Sequence, residues 1–352
     1  MTPRGATTTR AAVWRGGDRL DVEAVPVPEP GPGEVVVRVL LATVCGSDRH
    51  TVTGRRAGAC PSVLGHEAVG EVVAVGVTGA RTVVGEPVRP GDRVVWGVTV
   101  GCGSCDRCRT GRTAKCRELR KVGHEPFDGA WPLSGTYAGH VLLPAGAVVV
   151  GVPAGMPDVV AAPAGCATAT VLAAAEAAGD LAGRRVLVVG AGMLGLCATA
   201  LAAEAGAEVL VTDVDPERLR TARRFGATDV LLAHEALPLV DVAFELSGAT
   251  RAAARALEHL DVGGALVLVG AVAPGPPLAV APERVVRGWW RIAGVHNYEP
   301  RHLGAAVDLL ERTRGHRPWH ELVDPPVGLA DLGRLLSGPP GPRPRPAVDP
   351  GR

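Results

Sequence analysis

Residues 186–195 read V-L-V-V-G-A-G-M-L-G. A short apolar run passes directly into a turn that holds Gly190, Gly192 and Gly195 in G-x-G-x-x-G register, with Met193 and Leu194 between the last two. The first glycine permits a tight turn, the second lets backbone approach a pyrophosphate, and the third lets the following helix pack on its strand. The start of that helix favours the phosphate charge. The motif alone is weak, so its surroundings decide. Arg185–Val189 reads as a buried strand, 194–205 as a helix and 208–212 as the next strand, which is the context a dinucleotide site requires. An acid, Asp213, ends that second strand. Its carboxylate can accept both hydroxyls of an adenosine ribose and repels a 2′-phosphate, so NAD is expected over NADP. Arg218, about one helical turn on, is a further candidate for the same ribose. Asp215 reads as an N-cap before Pro216.

Outward from this motif the strand and helix patterns continue to alternate. A helix is expected at 216–225 and strands at 240–246 and 265–269, an order that predicts an α/β fold with a doubly wound parallel sheet. Before Pro163 the texture differs. Short valine-rich runs at 34–41, 70–75, 92–95 and 141–143 alternate with Gly/Pro turns, which predicts a β-rich domain. After Pro300 a helix at 303–312 leads into proline-rich sequence expected to return to that first domain. The division read from the chain is 1–157 with 299–352, and 158–298. The tail after Leu336, S-G-P-P-G-P-R-P-R-P, reads as extended or loosely held.

With Lys+Arg 37 against Asp+Glu 36, no basic excess argues for nucleic acid or a membrane surface. The start, 1–10, is polar, and no apolar run has the length of a membrane span. Eight cysteines and no secretory leader suit a reducing, cytoplasmic setting and a small-molecule substrate.

Half of those cysteines fall within 102–116, as C-G-S-C-D-R-C-R-T-G-R-T-A-K-C. Cys102, Cys105, Cys108 and Cys116 can wrap four thiolates around one tetrahedral ion, for which zinc is the first choice. A site with every corner filled by protein is structural. Two disulfides are the other reading, and the even triplet spacing argues against it. Two further motifs, C-G-S-D-R-H at 45–50 and G-H-E-A-V-G at 65–70, supply Cys45 and His66 as donors. Cys166, in A-P-A-G-C-A-T-A-T, is a possible third. Three protein ligands and a vacancy make a catalytic zinc site.

Taken together, G-H-E-x-x-G, the four-cysteine lobe and the glycine fingerprint occur in one order, and the chain resembles the zinc-dependent medium-chain alcohol dehydrogenases along nearly its whole length. That resemblance implies a GroES-like catalytic domain beside a Rossmann domain, two zinc ions per chain, NAD, and assembly as a homodimer or homotetramer. It implies Cys45, His66 and Cys166 as catalytic zinc ligands, Asp48 as the carboxylate that orients His66, and Glu67 as an acid beside the metal. Ser47 then falls where a hydroxyl meets the substrate oxygen, and His50 where a proton relay ends. The reaction implied is hydride transfer between an alcohol, or its carbonyl, and NAD. The alternatives are 1,4-reduction of an enal on the same scaffold and a nucleotide-binding homologue without catalysis.

A finer resemblance, to zinc dehydrogenases proposed for phosphonate catabolism, implies a hydroxyalkyl phosphonate. Arg49, Arg55, Arg56, Lys121 and His124 are then candidates for the anion. Three departures from the family pattern stand out: a short connection between Asp229 and Val240, which leaves no room for a further helix; Thr136 and Gly139 within 135–140, where the family commonly has glycine and glutamate; and a C-terminus that dissolves into Pro/Arg-rich sequence.

Overall fold

The computed structural model describes residues 7–339 and 341–352; residues 1–6 of the polar start and Pro340 of the tail lie outside the described residues. The chain forms two compact units. One comprises Met1–Cys166, Glu299–Arg314 and Trp319–Arg352, the other Ala167–Tyr298 and Gly315–Pro318.

The first unit is built on antiparallel strands, as its valine-rich runs require. In its larger sheet the order is Val149–Gly151, Arg93–Trp96, Ala68–Val75, Val35–Thr43 and Ala347–Val348, with His140–Leu143 also paired to Val35–Thr43. A hairpin of Thr8–Trp14 and Leu20–Pro26, joined by Ser62–Val63, makes a second sheet. Alternating residues of the central strands (Val35, Val37 and Val39 opposite Val72) face a core that also takes in Trp96, Tyr137 and Leu143. Each such buried side chain contributes about 1.5–3 kcal/mol relative to exposure.

Of the two readings of the C-terminal tail, extended or loosely held, its last part takes the first: from Arg345 on it is extended and paired. Val323 bridges Arg345, Ala347 and Val348 pair with Thr43 and Ala42, and Val44 N–H donates to Pro346 O. Proline gives up its own N–H, yet residues between prolines keep theirs, and Arg345 donates its backbone N–H to Leu322 O. Arg345 is itself buried, 7% exposed. A proline-rich composition therefore suits a segment whose extended backbone is useful as a strand.

The second unit carries six parallel strands in the order Asp229–Leu232, Glu208–Asp213, Arg185–Val189, Val240–Glu245, Leu260–Leu268, Arg291–Gly294. The order reverses beside Arg185–Val189, the switch point at which open α/β sheets bind ligands. Helix Met193–Glu204 follows the fingerprint and Pro216–Arg224 the acid, Asp215 capping it by accepting from Glu217 N–H at 2.8 Å. No helix separates Leu232 from Val240, as the short connection predicts. No single helix among the described residues is long and apolar enough to cross a membrane.

Gly195 shows why the third fingerprint position is fixed. A Cβ there would stand 1.8 Å from Gly190 O, backbone against backbone, with no flexible group to yield. Gly195→Ala should therefore push the helix off its strand, at a cost of about 1–3 kcal/mol. The expected result is a lower unfolding midpoint together with weakened dinucleotide binding; an unchanged midpoint would show that the turn can shift freely.

Candidate functional site

The four-cysteine loop closes on itself. Its thiol sulfurs lie within 4.8 Å of one another, and Cys105 Sγ is 3.8 Å from Cys116 Sγ. Two sulfurs bound to one tetrahedral zinc at about 2.3 Å each must be roughly 3.8 Å apart, so the donor set fits that ion. All eight cysteines are free thiols, which removes the disulfide reading. Backbone N–H groups of Cys102, Cys105, Cys108 and Glu118 point at the sulfurs of Cys116, Cys102, Cys105 and Cys116. The Ser104 hydroxyl also donates to Cys102, and these bonds pull that thiol down to about 6. Such donors favour thiolates before any metal arrives. Glu299 anchors the loop from outside it, accepting from the N–H groups of Thr113 and Ala114 and from the Thr113 hydroxyl.

The second donor set is assembled from distant parts of the first unit. Strand Val35–Thr43 delivers Cys45 as the N-cap of helix Gly46–Val52, where Asp48 Oδ2 accepts the Cys45 N–H at 3.1 Å. Gly65 takes φ +91°, and a Cβ on it would meet Thr136 Oγ1 at 2.4 Å. That left-handed turn presents His66. Cys166 follows the 3₁₀ turn Ala162–Gly165. Cys45, His66 and Cys166 bring one ligand atom each within 4.8 Å, and the two sulfurs are 3.8 Å apart, again the tetrahedral spacing. No fourth His, Cys, Asp or Glu among the described residues completes this group. One corner is left for a substrate.

The surrounding charges explain how the site tolerates burial. His66 is 3% exposed, with Nδ1 3.3 Å from Asp48 Oδ1 but out of line for a hydrogen bond. Burial pulls this imidazole down, and Asp48 and the Cys45 sulfur outweigh it, raising His66 to about 10. Of the two sulfurs, Cys45 is the one whose surroundings favour the thiolate. Cys166 donates to it, and Arg345 and His66 favour it further, which holds Cys45 well below the ordinary thiol range. The Ser47 hydroxyl lies 3.3 Å from His66 Nε2, beside the donor cage. The His50 ring is half-buried on the last turn of the same helix.

Three contributors escaped the sequence reading. Tyr137 donates to Asp48 Oδ2 at 3.0 Å and so fixes the carboxylate that faces His66. Arg345 meets Glu67, which is wholly buried, at 2.7 Å, and its other nitrogen lies 3.9 Å from Cys45 Sγ. Thr43 donates to the same Glu67 oxygen at 2.5 Å. Tyr137 and Arg345 are far in sequence from any donor motif, and no local spacing signals them.

In the second unit Asp213 is tied into the fingerprint: Oδ2 accepts from Ala191 N–H at 2.6 Å and Oδ1 from Asp215 N–H at 3.0 Å. The acid thereby holds the glycine turn in shape. Gly192 caps the helix begun by Met193 and Leu194, whose first N–H groups are the phosphate donors of such sites. Arg218 faces Asp215, 3.7 Å away.

Comparison with known proteins agrees with this geometry. Residues 31–154 match the model of the alcohol dehydrogenase GroES-like domain, and 194–312 that of the zinc-binding dehydrogenases. An L-threonine 3-dehydrogenase of Anaeromyxobacter dehalogenans is 38% identical over 295 residues, covering 78% of this chain and 79% of its own. The 5-exo-hydroxycamphor dehydrogenase of Pseudomonas putida is 31% identical, covering 93% and 94%. Among solved structures, an alcohol dehydrogenase of Thermotoga maritima superposes with a TM-score of 0.89 at 26% identity, over 97% of this chain and 99% of that one. A zinc-binding dehydrogenase of Sinorhizobium meliloti, bound to NADP, gives 0.87 at 26% identity over 98% and 100%. With two zinc donor sets, a GroES-like unit and a Rossmann-like unit, the chain belongs to the zinc-dependent medium-chain alcohol dehydrogenase family and is an NAD(P)-dependent oxidoreductase.

Proposed function

We propose that this enzyme oxidises a small polar alcohol, or reduces the matching aldehyde or ketone, with NAD as hydride partner. The observation that carries the reading is the three-donor cage of Cys45, His66 and Cys166 with the Ser47 hydroxyl beside it. Zinc held there supplies Lewis-acid polarisation of the substrate oxygen. Ser47 accepts and passes on the hydroxyl proton, and His50 takes it toward solvent as the general base. Asp48 keeps His66 turned so that Nε2 faces the cage, and Tyr137 and the Cys45 N–H keep Asp48 in place. Glu67 acts from behind, where Arg345 and Thr43 hold it. A proton relay serves carbonyl chemistry and not 1,4-reduction of an enal, and three retained donors argue against a silent nucleotide binder.

For the cofactor, the reading rests on Asp213. The S. meliloti neighbour is bound to NADP, whereas a carboxylate at the end of the second strand disfavours a 2′-phosphate. For the substrate, relatives named for L-threonine and for 5-exo-hydroxycamphor bracket a wide range of alcohols; a hydroxyalkyl phosphonate stays within this proposal on residues alone. Assembly as a homodimer or homotetramer is supported by the edge strand Arg291–Gly294, with Ile292 and the nearby Trp289 exposed.

Metal analysis should find two zinc ions per chain, and one or none would overturn the two-site reading. Cys45→Ser should reduce turnover to background while the fold survives. Cys116→Ser should instead lower the unfolding midpoint and release the structural ion; equal activity in both variants would reverse these roles. Asp213→Gly should cut the preference for NAD over NADP, in kcat/KM, by tenfold or more. Unchanged selectivity would show that another residue sets it.

A further inference from the structure

Among the described residues, none makes a hydrogen bond with the buried Nδ1 of His66. An imidazole that gives its Nε2 lone pair to a metal must carry its proton on Nδ1, and that proton needs an acceptor. Asp48 Oδ1 stands ready 3.3 Å away, yet the pair is out of line. Both side chains are buried. A bond left unmade between two such groups is costly, so something holds the carboxylate back.

Two donors do so, and both act on the other oxygen. The Cys45 N–H reaches Asp48 Oδ2 at 3.1 Å and the Tyr137 hydroxyl reaches it at 3.0 Å. The first belongs to the capping box of helix Gly46–Val52 and comes with the fold. The second hangs on a single side-chain atom. That hydroxyl has one proton to give. Thr43 O also lies within reach, but at 3.4 Å and uncharged, so the carboxylate takes the proton. Burial, and then the charge of Asp48, hold the phenol well above its ordinary value and keep it a donor.

The ring of Tyr137 has a separate task. Tyr137 N–H donates to Leu64 O and Thr136 N–H to Gly65 O, so this segment runs along the turn that presents His66. A Cβ on Gly65 would stand 3.0 Å from Tyr137 Cδ1 and Cε1. The ring supports the turn, and the hydroxyl restrains Asp48.

We propose that Tyr137 is a positioning residue: through Asp48 it limits the carboxylate's hold on His66, and so keeps an ion in the three-donor site strongly Lewis acidic. Hydrogen bonds drawn to Oδ2 leave less charge on Oδ1, and the same pin keeps Oδ1 off the Nδ1–H line. A less engaged carboxylate makes a weaker imidazole donor. Weaker donation leaves more polarising power for a substrate oxygen, at some loss of affinity for the ion. The inference rests on the dehydrogenase reading above and deepens it by giving Tyr137 an effect of definite sign.

In Tyr137→Phe the ring stays and only the hydroxyl goes. Competition with a chelator should show the three-donor site binding zinc tighter by about threefold or more, the scale of one neutral hydrogen bond. With cobalt(II) exchanged into that site, and zinc kept in the four-cysteine lobe, the visible bands should move to shorter wavelength. Turnover of 1,2-propanediol with NAD⁺ should fall by a similar factor in kcat, with KM little changed. A merely structural tyrosine predicts the opposite sign for the metal, because a loosened site binds zinc more weakly. Zinc bound equally or more weakly, cobalt bands that stay in place, or an unchanged kcat in an active enzyme overturns the proposal. Should Tyr137→Phe fail to fold, 3-fluorotyrosine in place of Tyr137 decides. It is a stronger donor and must weaken zinc binding; unchanged or tighter binding ends the proposal. If the wild type leaves the diol untouched, that result counts against the dehydrogenase reading, and the zinc and cobalt measurements still judge Tyr137.

Discussion

The catalytic half of this molecule depends on one buried ion pair. Glu67 sits with no exposure behind the metal donors, and Arg345 reaches it from near the end of the chain at 2.7 Å. Neither charge would be tolerated there alone, since removing one member of such a pair costs about 3–5 kcal/mol by stranding the other. Together they do two things. They fasten the C-terminal segment against Val35–Thr43, the strand that delivers Cys45, and they place a guanidinium 3.9 Å from the Cys45 sulfur. Thr43 belongs to both arrangements, as a register partner of Ala347 and as a hydroxyl donor to Glu67. The thiolate is therefore stabilised by the same contact that holds the tail.

The two metal sites solve one chemical problem in opposite ways. The four-cysteine lobe draws all its donors from fifteen consecutive residues and aims its own backbone N–H groups at the sulfurs. Its assembly needs little loop closure, and its order is set locally. Cys45 and Cys166 are 121 positions apart, so the catalytic cage exists only once the sheet, the 3₁₀ turn and the left-handed turn at Gly65 are all in place. The local loop supplies four donors, and the set that depends on the finished fold supplies three.

What could be read from sequence follows the same division. The glycine fingerprint, the acid Asp213 and the strand and helix order around them are local patterns, and each appears in the second unit where periodicity places it. The donor triad was legible because its motifs resemble a family, not because Cys45, His66 and Cys166 share any spacing. Arg345 and Tyr137 were not legible. Both act across more than eighty positions, and Arg345 lies within a P-R-P-R-P stretch whose composition suggests a loose tail. Composition reports which conformations a segment favours. It does not report whether a buried carboxylate elsewhere is waiting for that segment's cation.

Asp48 shows how few groups join these levels. Its Oδ2 accepts the Cys45 N–H, the capping-box bond from N3 back to the N-cap of helix Gly46–Val52, and also the Tyr137 hydroxyl. Its Oδ1 faces His66 Nδ1. One side chain thus sets the direction of a helix that carries Ser47 and His50, orients one metal donor, and fixes the backbone of another. The hydroxyl of Tyr137 and the peptide of Cys45 compete for nothing, because a carboxylate oxygen has lone pairs for both. Helix initiation, ligand orientation and the placement of Ser47 and His50 are then a single geometric decision. The loop after that helix returns to the same place, the Arg56 N–H donating to the His50 carbonyl.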